Sequence, residues 1–269
     1  MLRKMEVGIY SPFGDFFDNS MVYYNQYFNP FIMFKIELGQ KCILNSDEIS
    51  GPILLLGIPG QGKSVTMIQM ALTLIENKQK GLFFDTYGDL AEKIKKLVKS
   101  KSSKANFVIF DANKISEKDI QKNIKNKFVI VFSRTAHDGF RRTRAQANEI
   151  VKNAYRFAQK GSWIITDQAL DIIDDVLFEK YLQTRKSDIK TILADQTIMA
   201  LSDKEKLQLK KAAGGYIIYK VRSLDSNWLQ KNVKTFKGKK LSETPKYEFY
   251  FAANKKIAKF KSIFPLKAI

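Results

Sequence analysis

The chain has 269 residues, with 46 Lys and Arg against 27 Asp and Glu for a formal net charge of +19, and 45% of it is hydrophobic. That composition excludes wholesale disorder and suits one large domain with small appendages. Cys42 is the single cysteine and His137 the single histidine, which excludes an intrachain disulfide, a thiolate zinc site and a two-histidine metal motif.

In chain order, the first fifty or so residues are strongly aromatic, with Phe13, Phe16, Phe17, Tyr23, Tyr24, Tyr27, Phe28, Phe31 and Phe34. These rings suit either an accessory layer packed on the core or a docking surface for a partner or neighbouring subunit. The opening MLRKMEVGIYSPFGDFF passes from basic residues into Gly, Pro and Asp, so no secretory signal is expected. No apolar run approaches the roughly 18–20 residues of a membrane helix. The expectation is a soluble, cytoplasmic protein with no direct membrane insertion.

Short apolar runs follow at Ile53–Gly57, Leu82–Thr86, Phe107–Phe110, Phe128–Ser133, Trp163–Thr166, Thr191–Asp195 and Tyr216–Tyr219. Amphipathic stretches at Lys63–Glu76, Asp89–Lys99, Ser116–Lys125, Arg142–Gln159, Ala169–Thr184 and Lys204–Ala212 predict helices between them. Strands apolar on both faces, alternating with helices, predict an α/β fold with a mostly parallel sheet. After Trp228 the chain becomes Lys-rich, and Tyr247–Ala252 with Ile257–Phe260 predict a terminal β-hairpin across Ala253–Lys256.

Gly57-Ile58-Pro59-Gly60-Gln61-Gly62-Lys63-Ser64 fits G-x-x-x-x-G-K-[ST] in full, with an apolar strand before it and a helix-compatible stretch after it. The glycines let the backbone curl so that successive N–H groups face an oxyanion, and the helix start adds its positive dipole end. The nucleotide-binding set is therefore Gly57, Pro59, Gly60, Gln61, Gly62, Lys63, Ser64 and Val65. Lys63 is expected on the β- and γ-phosphates and the Ser64 hydroxyl on Mg²⁺, so ATP and Mg²⁺ are the expected ligands. The organisation read from the chain is an accessory segment over 1–50, a P-loop ATPase core over 51–230 and a basic tail with its hairpin over 231–269.

A carboxylate at a neighbouring strand end must share the metal. Asp167, closing Ser162-Trp163-Ile164-Ile165-Thr166-Asp167, leads Asp85 and Asp111, which also end strands. After Asp167 comes Gln168, where many such ATPases place a Glu that deprotonates the attacking water. Gln has nearly the shape of Glu but accepts no proton. Three readings stay open: a deliberate Glu→Gln change that traps the ATP state, another carboxylate such as Asp195 serving as base, or a natural protein that hydrolyses slowly and uses ATP as a switch.

This ordered set resembles the FtsK–HerA superfamily of ring-forming DNA motors, and within it the type IV coupling proteins of conjugation. GIPGQGKS is similar to that family's Walker A, Gly81–Leu90 to its second strand and following turn, and WIITDQA (Trp163–Ala169) to its Walker B. Thr184-Arg185-Lys186 followed by Ile192–Gln196 resembles its arginine-then-glutamine signature. The resemblance covers roughly 51–223. It implies a P-loop NTPase fold of the RecA type, a hexameric ring with ATP between subunits, and sequence-independent DNA translocation in conjugative transfer. It also implies that Gln196 is a polar sensor at the γ-phosphate and that Arg185 is a finger reaching the neighbour's ATP. A guanidinium suits that second task because transition-state charge spreads over the γ-phosphoryl oxygens.

Gln168 and the Asp195 beside the sensor depart from the family pattern, as do the missing membrane helices and the little room for an all-α insertion between Asp89 and Phe128. The economy also suits the genome-packaging ATPases of membrane-containing viruses, so the partner is expected to be a membrane channel or a capsid. A slow ATP-dependent assembly switch is the non-motor alternative. Half of the eight arginines fall in Arg134–Arg144, and Lys clusters lie at Lys93–Lys104, Lys118–Lys127, Lys204–Lys211 and Lys231–Lys240. The arginines suit a subunit interface beside ATP, a second finger or DNA-phosphate contacts, the lysines suit sequence-independent backbone contacts, and either set suits a plain solvated surface.

Overall fold

Each apolar run becomes a strand whose side chains alternate between two faces, and both faces are covered except along Phe107–Asp111, which is half-buried throughout. The computed structural model describes residues 35–40, 42–45, 49–98, 104–133 and 140–262. The aromatic rings before residue 35 and the stretch Arg134–Gly139, His137 included, lie outside the described residues.

The chain opens with β1 (Lys35–Gly39) and β2 (Cys42–Asn45), an antiparallel pair. It continues through β3 (Ile53–Leu56), α1 (Lys63–Glu76), β4 (Gly81–Asp85), α2 (Asp89–Leu97), β5 (Phe107–Asp111), α3 (Glu117–Ile124) and β6 (Phe128–Phe132). Then come α4 (Phe140–Phe157), β7 (Trp163–Asp167), α5 (Asp175–Ser187), β8 (Lys190–Asp195), α6 (Asp203–Ala212), β9 (Gly215–Ile218) and α7 (Ser223–Asn232). The hairpin β10 (Glu248–Ala253) and β11 (Lys256–Lys261) closes the described chain.

Nine strands form one sheet in the order β11-β10-β9-β3-β8-β7-β4-β6-β5. Strands β3 to β9 run parallel, and β10 adds antiparallel to β9. This is the α/β, P-loop NTPase architecture expected. Leu54, Leu56, Phe84, Val131 and Leu193 pack with α3 to α7 on one face, through residues such as Ile120, Val151, Phe178, Leu209 and Leu229. Ile53, Leu55, Phe83, Ile165 and Ile192 pack on the other face with α1, α2 and the β1–β2 hairpin.

Two crossovers position the site. From β3 the chain passes through α1 and skips two strands to β4; from β8 it passes through α6 on the opposite face and skips β3 to reach β9. Adjacent strands whose connections leave in opposite directions open a crevice at their carboxyl ends. Here that crevice lies where β3 and β8 end, at Leu56 and Asp195.

The predicted strands all form, as do the helices, with one displaced start. The helix expected from Ala169 begins at Asp175, because the Asp174 side chain accepts the Leu177 N–H at 2.8 Å and caps it there. The hairpin turn has Asn254 and Lys255 at φ 49° and 64°, the left-handed pair a tight hairpin requires. The β1–β2 pair and α7 were not expected from the sequence. Cys42 is buried on β2, and burial pushes its thiol up to about 12, so it is an unreactive packing residue. No helix among the described residues is long and apolar enough to cross a membrane.

Candidate nucleotide site

The loop 57–62 leaves β3 between its neighbours: the Gly57 N–H donates to the Asp195 carbonyl at 3.2 Å, and the Ile58 N–H to the Lys220 carbonyl at 2.8 Å. Gly60 and Gly62 sit at φ 75° and 120°, a backbone that side chains resist, so the curl depends on both glycines. Helix α1 starts at Lys63 with Gly62 as its N-cap and no side chain capping it. Its first N–H groups and its dipole are thereby left for an anion, the arrangement a triphosphate needs. Ser64 lies exposed at the helix start.

Lys63 is 7% exposed, and its ammonium donates to the carbonyls of Gly57 and of Ile58, the latter at 3.4 Å. Burial lowers its pKa, while Asp167 and Asp195 push the other way. A buried ammonium held by two neutral carbonyls is short of counter-charge, and phosphate oxygens would supply it.

Asp85, Asp167 and Asp195 end β4, β7 and β8, three adjacent strands. Their partners separate them. Asp85 accepts the Ala91 N–H at 2.8 Å and the Tyr87 N–H at 3.3 Å, so it organises the start of α2. Asp195 accepts the N–H groups of Leu170, Gln196 and Thr197 at 2.8, 2.6 and 3.4 Å, and its two oxygens fix two loops. Asp111 accepts the Asn113 N–H at 2.9 Å and stands three strands from β7, about 14 Å away by strand spacing. Asp167, with one backbone donor, the Gln168 N–H, keeps the most free lone pairs and is the carboxylate best suited to a metal. The Thr86 hydroxyl donates to its carbonyl at 2.7 Å and fixes the strand end. Burial first, then the charge of Asp85, raises its pKa to about 7. Among the described residues no cluster of three metal-ligating side chains occurs. Ser64 and Asp167 with phosphate oxygens and water would suit Mg²⁺, which keeps much of its own hydration.

Gln168 has φ 51°, a left-handed conformation costing a non-glycine residue about 1 kcal/mol, and it is 6% exposed. That bend brings its Oε1 to 3.5 Å from Gln196 Nε2, so the two amides meet at the ends of β7 and β8. Neither can take a proton from water, and Asp195 already spends three of its roughly four lone pairs on backbone N–H groups. Sequence reasoning missed Asp225 at the start of α7. Its buried carboxylate accepts the Thr197 hydroxyl at 2.8 Å and the Ile198 N–H at 2.9 Å, holding the loop that follows Gln196. No motif marks Asp225, and 28 residues separate it from Thr197.

Arg185 does not join this group. It is exposed in the last turn of α5, and the Gly161 N–H to Asp188 carbonyl bond at 2.9 Å ties that turn to the amino ends of the strands. The crevice lies one strand length away, about 17 Å along β8. Arg144, the described arginine side chain of the predicted cluster, donates to the Ile173 carbonyl at 3.3 Å, in the loop between β7 and α5.

A metal takes Asp167 only as carboxylate, so affinity for Mg²⁺·ATP should rise with pH up to about 7 and level off above it. The linkage runs the opposite way without ligand. The folded pKa exceeds the ordinary ~4, so stability is greatest below that value and falls as pH rises to about 7. Asp167→Asn should flatten the calorimetric affinity profile and raise the melting temperature at pH 8.

The sequence matches no protein-family model and no curated protein. Solved structures do match. The genome packaging NTPase B204 from Sulfolobus turreted icosahedral virus 2, in complex with ATP-gammaS, superposes with a TM-score of 0.53 and 18% identity, covering 80% of this chain and 98% of that one. The plasmid coupling protein TrwB in complex with the non-hydrolysable GTP analogue GDPNP gives a TM-score of 0.61 and 12% identity over 83% of this chain and 88% of that one. TrwB with ADP and Mg²⁺ gives 0.60 and 12% over 81% and 86%. What these likenesses establish is the fold, that of a P-loop NTPase.

Proposed function

We propose that the chain is an ATPase that moves DNA, binding ATP and Mg²⁺ in the crevice between β3 and β8. The observation that carries this reading is one assembly: the glycine-curled loop with its uncapped helix start, the buried Lys63, and Asp167 two strands away with a pKa of about 7. The loop amides and Lys63 would hold the β- and γ-phosphates. Ser64 and Asp167 would hold Mg²⁺, which supplies counter-charge to the developing phosphoryl oxygens. Gln168 and Gln196 would position water at the γ-phosphate.

Charge supports a nucleic-acid partner. A net charge of +19, carried mostly by lysine and without a base-reading motif, suits backbone contacts that any sequence satisfies. The folds of B204 and TrwB support either genome packaging or conjugative transfer as the setting, with a capsid or a membrane channel as the partner. The test is phosphate release with and without linear duplex DNA over a salt series. Stimulation by DNA that fades steeply with salt is expected; equal turnover at every DNA concentration would refute the coupling.

Arg185 enters this reading through a ring, a hexamer by resemblance. Its position, far from the site of its own chain, leaves a neighbour's ATP as the one on which it would act. Mixing Arg185→Ala with Lys63→Ala subunits should restore turnover relative to either variant alone, because a mixed interface can pair an intact loop with an intact Arg185. Arg185→Ala by itself should lose about 10³-fold in rate. Mixtures no faster than the separate variants would remove Arg185 from the mechanism.

A second reading, a slow ATP-dependent assembly switch, is favoured by the Gln168–Gln196 pair, which offers no proton acceptor.

A further inference from the structure

The end of the C-terminal hairpin lies against the phosphate loop. Tyr219, just past β9, stands between them. Its phenol lies 2.6 Å from the Thr66 hydroxyl on α1 and 2.6 Å from the Ser262 hydroxyl just past β11. Tyr219, Thr66 and Ser262 are 0, 1 and 2% exposed, so no water competes for these bonds. The same side chain forms the floor of the motif. A Cβ added to Gly57 would lie 2.6 Å from Tyr219 Cβ, and one added to Gly62 would lie 3.0 Å from Tyr219 Cε1 and 3.4 Å from Ser262 Oγ. The backbone continues the grip: the Tyr219 N–H donates to the Leu56 carbonyl at 2.9 Å, the Tyr247 N–H to the Gln61 carbonyl at 3.0 Å, and the Ser262 N–H to the Tyr247 carbonyl at 2.8 Å. Ser262 also bridges to Gly39 of the β1–β2 hairpin.

We infer that the Thr66–Tyr219–Ser262 hydroxyl chain is a clasp through which the C-terminal hairpin holds the phosphate loop in its binding shape, making Tyr219 and Ser262 positioning residues for the nucleotide. The inference rests on the ATP-binding reading above. A loop with left-handed glycines has many alternative shapes, and binding weakens by the fraction of molecules outside the competent one. The clasp removes that loss before the ligand arrives. Its contribution falls on affinity rather than on the chemical step, because neither hydroxyl is placed among Asp167, Gln168 and Gln196.

The test is titration of the full chain with ATP-gammaS and Mg²⁺, with single-turnover hydrolysis of ATP measured beside it. Tyr219→Phe and Ser262→Ala should each raise Kd about tenfold while the single-turnover rate at saturation stays within about twofold. Ser262→Thr keeps the hydroxyl and should bind like the wild type. Combining Tyr219→Phe with Ser262→Ala should cost little more than either alone, since both break one chain. Unchanged Kd in both single variants, or equal losses in Ser262→Thr and Ser262→Ala, would overturn the clasp while leaving the nucleotide site intact. A wild-type chain that bound no ATP-gammaS would overturn the site and the clasp together.

Discussion

Gln168→Glu should raise the rate of ATP hydrolysis about 10²-fold or more, the usual worth of a positioned general base. The added carboxylate would stand where Gln168 Oε1 now meets Gln196, at the end of β7 and next to Asp167. The backbone need not change, because the left-handed bend at φ 51° costs Glu and Gln alike. Burial and the neighbouring carboxylates would raise its pKa, as they raise that of Asp167, so the gain should grow with pH toward and above neutrality. Phosphate release by the two proteins, measured from pH 6 to 9 with and without DNA, checks this. A fast, DNA-dependent Glu variant supports a motor whose proton acceptor is missing at residue 168. Equal slowness in both would favour the switch reading.

Lys63→Ala should weaken Mg²⁺·ATP binding at least about 100-fold, the worth of two charge-assisted contacts at 1.5–3 kcal/mol each. The fold should survive, because Lys63 now spends its ammonium on two backbone carbonyls of its own loop and its burial opposes its charge. Removing it leaves Asp167 with less positive charge nearby, so the pH at which metal binding levels off should move up in the variant. Calorimetric titration with a melting curve as control reads both effects. Binding retained within a fewfold would detach the lysine from the phosphates.

Much of this was legible in the residues. The strands were readable because runs such as Phe128–Phe132 and Trp163–Asp167 are covered on both faces and carry little polarity. The phosphate loop was readable because its spacing is local and its glycines have no common alternative use. What escaped depends on distant pairing. The β1–β2 strands are five and four residues long, and they acquire their shape by burying Ile36, Leu38, Cys42 and Leu44 against α1. Helix α7 is mostly polar, with Asp225, Ser226 and Leu229 its buried residues. Asp85, Asp167 and Asp195 looked alike as strand-ending carboxylates, and only their backbone partners tell the two loop organisers from the metal candidate. Tyr219 read simply as a strand residue, because nothing local announces that Thr66 and Ser262 converge on its hydroxyl.

The most direct test is an experimental map of the chain grown with ATP-gammaS and Mg²⁺. The expected result is a triphosphate against the amides of 60–64, Lys63 swung from the Gly57 and Ile58 carbonyls onto its β- and γ-oxygens, and a metal held by Ser64 and Asp167. A nucleotide bound elsewhere, or Lys63 still on those carbonyls beside a bound triphosphate, would contradict it.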